Sequence, residues 1–209
     1  MSPVRPVRQV GPVRRVGRQE RSRLEIFILA GGLSTRMGRD KSRLRLGGRT
    51  MVDLIRQTAI TTGLKVRVIR RDLVRRCGPL GGIYTGLQKA RADGVVFLVC
   101  DMPFITREII EKLLAVAAAH PNRAVLLRAA RKLTFPILVP REALQMVRSQ
   151  IENEDWSIQS LGKRLRGIVI AAPRKWLFCL ENINTPEDWE RARTRMASGT
   201  RHACQMCRI

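Results

Sequence analysis

The stretch Leu24-Glu-Ile-Phe-Ile-Leu-Ala-Gly-Gly-Leu-Ser-Thr-Arg-Met-Gly-Arg-Asp-Lys41 decides the fold. It begins with a short apolar run that ends in two glycines, which is typical of a buried parallel strand entering a loop. Glycines directly after such a strand let the backbone approach a ligand, and the amides that follow can form an anion-binding nest. The same loop holds hydroxyls and cations, among them Ser34, Thr35, Arg36 and Lys41. This combination favours a polyphosphate ligand.

The spacing within this loop excludes two common nucleotide motifs. The loop has neither the GxxxxGK[ST] pattern of P-loop proteins nor the GxGxxG pattern of dinucleotide-binding folds. A tight turn with solvated charges is the structural alternative to a phosphate-binding loop, and the composition of the segment leaves both interpretations open.

Strand and helix patterns alternate along the rest of the chain. The predicted strands are 24–30, 64–73, 95–100, 124–128, 136–139 and 168–171, and the predicted helices are 50–61, 83–92, 106–119, 141–151, 157–165 and 186–196. The Gly/Pro-rich residues 78–82 predict a loop. This alternation predicts an α/β fold, as a single three-layer domain with a mainly parallel sheet.

Length, composition and charge predict how the chain is organised into a folded domain and two basic ends. The chain has 209 residues, of which 44% are hydrophobic, enough for one domain with a full core. It carries 40 Lys and Arg against 17 Asp and Glu, a net charge of +23. We expect a disordered basic extension over 1–23, the folded domain over 24–196 and a flexible tail over 197–209. A basic chain attracts phosphates or nucleic acid, but its ends lack the aromatic residues that stack on bases, which disfavours nucleic acid as a partner.

The cysteines and the hydropathy pattern bear on location. Five cysteines without the spacing of a disulfide framework predict reduced thiols and a cytoplasmic protein. Cys204 and Cys207 form a lone CxxC, but zinc needs four ligands and no second pair lies at a suitable distance. No apolar run approaches the roughly 18 residues that span a bilayer, so we expect no membrane association.

Two further segments carry oxygen ligands. Asp101 follows the third predicted strand, and α/β sheets bind ligands at the carboxyl ends of their strands. A carboxylate that faces the glycine loop there is suited to holding Mg²⁺ against phosphates. In Asn182-Ile-Asn-Thr-Pro-Glu-Asp188, Thr185 predicts a helix cap, and a polar role of Asn184 near the metal is the other interpretation.

The motifs together resemble those of a known family. Residues 29–41 match the LAGGxSxRMGxDK signature of the molybdenum cofactor guanylyltransferases at each fixed position. The other motifs follow in the family's order: Gly47-Gly48, Gly78-Pro-Leu-Gly-Gly-Ile83, Cys100-Asp-Met-Pro103 and Asn182-Ile-Asn-Thr-Pro-Glu-Asp188. The resemblance covers about 24–193, and it implies a Rossmann-like fold of the nucleotide-diphospho-sugar transferase type.

The resemblance also implies a reaction, in which GMP passes from GTP to molybdenum-molybdopterin with Mg²⁺ as cofactor. The residues that it assigns to the nucleotide are Leu29, Ala30, Gly31, Gly32, Lys41, Asp72 and Asp101, with Asp72 at the guanosine site. We expect Lys41, Asp101 and Arg36 to be catalytic, and Asp101 and Asn184 to bind the metal. A molybdopterin-supplying protein and acceptor molybdoenzymes are the expected protein partners.

One segment departs from the family pattern. Only nine residues, 63–71, lie where the family normally has a strand with a nucleotide-contacting Asn, a short helical excursion and another strand. We therefore expect weaker base selectivity and a sheet that is one strand short. The alternatives are a cytidylyltransferase acting on the same pterin, a nucleotidyltransferase acting on a sugar phosphate, and a degenerate homologue that only binds nucleotide or nucleic acid.

Overall fold

A mixed sheet forms the centre of the described residues, which are 17, 23–31, 44–74 and 77–197 in this computed structural model. In chain order the strands are β1 (Leu24–Leu29), β2 (Arg45–Leu46), β3 (Arg49–Thr50), β4 (Lys65–Ile69), β5 (Gly94–Val99), β6 (Val125–Ala129), β7 (Lys132–Pro140) and β8 (Ile168–Ala171). β2 and β3 form a separate hairpin, and the others join in the order β4-β1-β5-β7-β6-β8. Within this sheet only β7 runs antiparallel to its neighbours, so the mainly parallel sheet is confirmed for the described residues.

Helices cover both faces of the sheet, which confirms the α/β class. They are α1 (Met51–Ile60), α2 (Gly78–Lys89), α3 (Arg107–Ala119), α4 (Leu144–Glu152), α5 (Ile158–Leu165) and α6 (Pro186–Ala197). The apolar sides of α1 and α3 share one core cluster with the sheet, while α2, α4 and α5 share the other. None of these helices, within the described ranges, is long and apolar enough to cross a membrane.

The helix starts follow the capping chemistry of the sequence. The Thr106 hydroxyl accepts a hydrogen bond from the Ile109 N–H, as predicted for the start of α3. Thr50 caps α1 in the same way. At the other end of the chain, the Arg23 carbonyl accepts the N–H groups of Asp93 and Gly94, so backbone contacts with the domain extend to residue 23.

The prediction of a loop over 78–82 is wrong, because these residues form the first turns of α2. Pro79 is tolerated there, since the first turn of a helix has no intrahelical partner for its N–H groups. The glycines serve close packing: a Cβ on Gly82 would lie 3.0 Å from the Leu29 methyl groups, and one on Gly86 would collide with the Phe97 ring. The Gly-rich pattern therefore marks a helix pressed onto the sheet.

Two strand predictions have the wrong length. The strand predicted over 64–73 ends at Ile69, and the remaining residues leave the sheet toward its carboxyl edge. The strand predicted over 136–139 runs from Lys132 to Pro140, because it pairs with β6 as an antiparallel hairpin around a left-handed residue, Ala130 (φ 52°). β4 is the only strand between α1 and Asp72, in agreement with the short segment there.

The connections reverse direction at β1. The chain leaves β1 through α1 to reach β4 on one side, then returns through α2 to β5 on the other side. Because α1 and α2 lie on opposite faces, a crevice opens at the carboxyl ends of β1 and β5. In open α/β sheets this switch point is where ligands bind.

Candidate active site

The sheet register brings three predicted site segments to the same edge. β1 pairs in parallel with β4 and with β5, and Leu29 lies level with Ile69 and Val99. Just beyond the strands, the Ala30 N–H donates to the Ile69 carbonyl at 2.8 Å and the Cys100 N–H donates to the Leu29 carbonyl at 3.0 Å. Residues 30–31, 70–74 and 100–103 therefore lie side by side at the switch point.

Asp72 lies between the end of β1 and the start of α2. A Cβ on Gly31 would lie 3.3 Å from its Oδ1, and a Cβ on Gly81 would lie 3.4 Å from its Oδ2. Both glycines thus leave room for the carboxylate against the backbone that follows β1. The structure places Asp72 beside Gly31, as the sequence predicts for a residue at the nucleotide.

Thr85 fixes this loop, and sequence reasoning missed it. Its hydroxyl accepts the Leu73 N–H at 2.9 Å and donates to the Gly81 carbonyl at 2.7 Å. It is fully buried, with no exposed surface. A hydroxyl on the otherwise apolar face of α2 was the available signal, because buried polar groups in proteins are hydrogen-bonded.

Burial shapes the electrostatics of this corner. It raises the pKa of the Asp72 carboxyl above its ordinary value. Burial also raises the pKa of the Cys77 thiol, and the negative charge of Asp72 adds to that effect. A partly desolvated carboxylate in a crevice gains from N–H donors supplied by a ligand, since they replace the water that it has lost.

Asp101 and the segment that contains Asn184 are joined through the backbone. The Ile183 N–H donates to the Asp101 carbonyl at 2.8 Å, and both Asp101 and Asn184 are partly buried. Thr185 caps α6, since its hydroxyl accepts the Asp188 N–H at 3.1 Å, so the predicted cap is confirmed. The structure therefore brings the two predicted metal-binding residues into neighbouring segments.

The Asp188 carboxylate completes this cap. Its Oδ2 accepts the N–H groups of Asn184 and Thr185, each at 2.9 Å. These bonds, led by the one from Asn184, hold the pKa of Asp188 below its ordinary value, although burial partly opposes them. Reciprocal bonding of this kind is a capping box.

The oxygen donors of Asp101 and Asn184 suit Mg²⁺, which takes few of its ligands from protein, better than they suit a metal whose ligands all come from protein side chains. In the described part of the chain, no group of three or more His, Cys, Asp or Glu side chains could hold a metal ion. Mg²⁺ usually binds through one or two carboxylates and completes its shell with water and substrate phosphates. Asp101 and Asn184 supply a carboxylate and an amide oxygen, which suits that pattern.

The phosphate-binding loop predicted from the sequence falls largely outside the described residues. Gly32, Arg36 and Lys41 lie in the range 32–43, whereas Gly31 before it and the hairpin after it are described. The hairpin packs against α6, because Leu46 is buried with Ala192 and a Cβ on Gly47 would lie 2.6 Å from the Met196 methyl carbon. The β2–β3 hairpin that follows the loop is thus fixed to the last helix.

A cavity of about 310 Å³ lies next to the capping segment of α6. Its lining includes Phe104, Asn182, Ile183, Asp188, Arg191 and Arg195. Arg195 pairs with Glu181 at 2.9 Å and lies over the Phe178 ring, and Arg191 pairs with Asp188. The walls combine an aromatic ring with cations, beside the Asp101 loop.

A crevice at the switch point of a parallel sheet, with carboxylates on both sides of a glycine-led loop, is typical of the nucleotidyltransferase class. Comparison with known proteins agrees. Residues 26–168 match the family described as the MobA-like NTP transferase domain. This is more than half of the chain, and the protein belongs to that family.

Relatives and solved structures extend the comparison. The chain is 31% identical over 194 residues to a molybdenum cofactor guanylyltransferase from Pseudomonas entomophila, covering 78% of this chain and 94% of that protein. It is 29% identical over 188 residues to one from Pseudomonas putida, covering 78% and 93%. The fold is similar to that of molybdopterin-guanine dinucleotide biosynthesis protein A from Archaeoglobus fulgidus, with a TM-score of 0.66, 20% identity, and coverage of 83% of this chain and 99% of that one.

A cytidine-nucleotide enzyme has a similar fold. A CMP:2-keto-3-deoxy-manno-octonic acid synthetase, solved in complex with CTP, gives a TM-score of 0.63 at 16% identity, with coverage of 84% of this chain and 99% of that one. The likeness shows that the fold is shared among enzymes that handle different bases. Base choice must therefore come from particular side chains at the site.

Proposed function

We propose that this protein transfers GMP from GTP to molybdenum-molybdopterin, which forms the guanine dinucleotide of the cofactor and releases pyrophosphate. The observation that carries the proposal is the placement of Asp72 and Asp101 on either side of Gly31 at the switch point. The family match and the relatives' names support the same reaction. A phosphate oxygen of the pterin attacks the α-phosphorus of GTP, and the bond from that phosphorus to the β-phosphate oxygen breaks.

Catalysis of this step needs positioning and charge neutralisation, and no covalent nucleophile. Gly31 and the amides that follow it bind the phosphates, and Lys41 and Arg36 neutralise the leaving pyrophosphate. Asp101 and Asn184 would hold Mg²⁺, which would act as a Lewis acid on the phosphate oxygens. The Cys100–Leu29 bond fixes the loop of Asp101 to β1, so this carboxylate keeps its place beside the phosphate-binding residues.

Asp72 reads the base in this proposal. Guanine presents two neighbouring donors, N1–H and N2–H₂, to an acceptor such as a carboxylate. Adenine lacks this pair and would leave the partly buried carboxylate without donors, at a cost of about 1–3 kcal/mol. Leu29, Gly31 and Gly32 line the nucleotide beside it.

The acceptor occupies the other side of Asp101. The cavity lined by Phe104, Arg191 and Arg195 offers an aromatic surface and cations next to the metal-binding segment. The aromatic wall suits a flat heterocycle, while the two arginines are paired with Asp188 and Glu181. We place the reaction in the cytoplasm, with a molybdopterin-supplying protein before it and acceptor molybdoenzymes after it.

A transfer assay with matched variants tests the proposal. The protein is incubated with Mg²⁺, molybdenum-molybdopterin and each of GTP, CTP, ATP and UTP, and the dinucleotide is detected by mass spectrometry. We expect the fastest product formation with GTP, and its loss in Asp101→Ala. Asp93→Ala is the control, because Asp93 precedes the same strand at the opposite edge of the sheet and pairs there with Arg23 at an exposed site. A preference for CTP, or no transfer from any nucleotide, would refute the proposal.

A further inference from the structure

The turn that carries Asn184 is held by one carboxylate. Asp188 Oδ2 accepts the backbone N–H groups of Asn184 and Thr185, each at 2.9 Å, while Oδ1 pairs with Arg191. Both oxygens of Asp188 are thus engaged within the capping segment and its own helix. The bonds of this carboxylate therefore serve the turn and its helix, and the side chain also lines the cavity beside them.

The same turn is attached to the site on its other side. The Ile183 N–H donates to the Asp101 carbonyl, and the Ile183 side chain is 3% exposed. It packs with Leu46 of the hairpin and Ala192 of α6 in a small apolar cluster. The position of Asn184 is consequently set by Ile183 before it and by Asp188 after it.

We propose that Asp188 is a positioning residue for the transfer reaction, because its carboxylate fixes the turn that presents Asn184 beside Asp101. This inference rests on the proposed function. Cap formation and metal binding are then two consequences of one arrangement, in which the capping box orients the metal ligand. A residue that orients a ligand in this way affects metal affinity although it does not touch the metal.

Hydrogen exchange tests the structural half of the inference without any substrate. In the unchanged protein the Asn184 and Thr185 amides donate to Asp188, so we expect slow exchange at both. Asp188→Ala removes the acceptor and should speed exchange at these two amides. Asp188→Asn keeps a neutral acceptor in the same place and should give intermediate rates, which also protects the test if the alanine variant fails to fold.

Mn²⁺ binding tests the functional half, and it does not need turnover. With GTP present, the Mn²⁺ dissociation constant is measured by electron paramagnetic resonance. We expect it to rise about 10- to 100-fold in Asp188→Ala and less in Asp188→Asn. Glu190→Gln is the matched control, since it removes the same charge from the same helix. The Glu190 carboxylate that it replaces pairs with the exposed Arg193 and does not belong to the capping segment. Its Mn²⁺ affinity should equal that of the unchanged protein.

The outcomes separate the two proposals. Faster amide exchange in the Asp188 variants with unchanged Mn²⁺ affinity would overturn the positioning role. A loss of Mn²⁺ affinity in Glu190→Gln as large as that in the Asp188 variants would overturn it too. Unchanged exchange in both Asp188 variants would overturn it as well. If the unchanged protein binds Mn²⁺ and GTP but makes no guanine dinucleotide, the proposed function fails while the positioning role is still decided by these measurements.

Discussion

Gly81→Ala tests whether α2 positions Asp72, the carboxylate that we propose reads the base. A Cβ at this position would lie 2.8 Å from the Val74 carbonyl oxygen and 3.4 Å from Asp72 Oδ2. The closer contact is shorter than non-bonded atoms tolerate, so the backbone over 72–74 must move away from the helix. The carboxylate of Asp72 moves with it, away from its place beside Gly31.

Gly81→Ala should change both the stability of the protein and its affinity for GTP. Two opposing contributions set the change in stability, and one sets the change in affinity. Overpacking costs about 1–3 kcal/mol, whereas alanine gains about 0.5–1 kcal/mol over glycine within a helix. The melting temperature should therefore fall by about 0–10 °C. A displaced carboxylate loses its bonds to guanine, which are worth about 1–3 kcal/mol, so the Kd of GTP should rise about 5- to 150-fold.

Gly86→Ala is the matched control on the same helix. A Cβ there would collide with the fully buried Phe97 ring and would next meet the Ile69 side chain, rather than the Asp72 carboxylate. We expect this variant to lose stability but to keep its ratio of GTP to ATP affinity. Competitive binding of GTP and ATP, together with calorimetric melting, distinguishes the two variants. If Gly81→Ala keeps the full ratio, or if Gly86→Ala loses it to the same extent, α2 does not position the base-reading group.

Three further changes have defined outcomes. Burial raises the pKa of Asp72, so the folded state loses stability as pH rises through that pKa. Asp72→Asn should therefore melt higher than the unchanged protein at neutral pH, and the difference between the two melting temperatures should shrink in acid. A difference that stays constant across pH would contradict this. Lys41→Ala and Asp101→Ala should each lower kcat by more than about 100-fold at an unchanged melting temperature, because each removes charge stabilisation from the transition state. Transfer near the original rate in either variant would disprove the assigned roles. Glu25 is 5% exposed and lies 3.7 Å from the Arg67 guanidinium. Glu25→Ala should therefore lower the free energy of unfolding, measured by urea titration, by about 1–3 kcal/mol. An unchanged free energy of unfolding would show that solvent replaces the pair.

The parts of the fold with a strong local signal could be predicted from the sequence. The runs that became β1 and β5 are continuous and apolar, as strands buried on both faces must be. Thr106 and Thr185 carry cap chemistry that acts within three residues. Asp101 could be placed at the carboxyl edge because α/β sheets bind ligands there, whereas Asp72 was assigned to the nucleotide by the family resemblance alone.

The remaining features depend on contacts that are distant in sequence. Residues 78–82 are rich in Gly and Pro, and only the approach of α2 to Leu29 and Val74 explains why a helix needs glycine there. The direction of β7 depends on its pairing with β5 and β6, which no periodicity within the strand encodes. Thr85 could not be assigned to the site, since its partners are backbone groups of a loop twelve residues earlier and of its own helix.

The packing of the β2–β3 hairpin against α6 has a consequence for how the protein is made. The hairpin leaves the ribosome early, but its partner Ala192 follows about 150 residues later. At a synthesis rate of about 5–20 residues per second, the hairpin waits about 7–30 s for that partner. The segment that follows the phosphate-binding loop is therefore anchored only when translation is nearly complete. A nascent chain can therefore pair β1 with its neighbouring strands long before the β2–β3 hairpin packs against α6, and a chain that terminates before α6 never forms that contact.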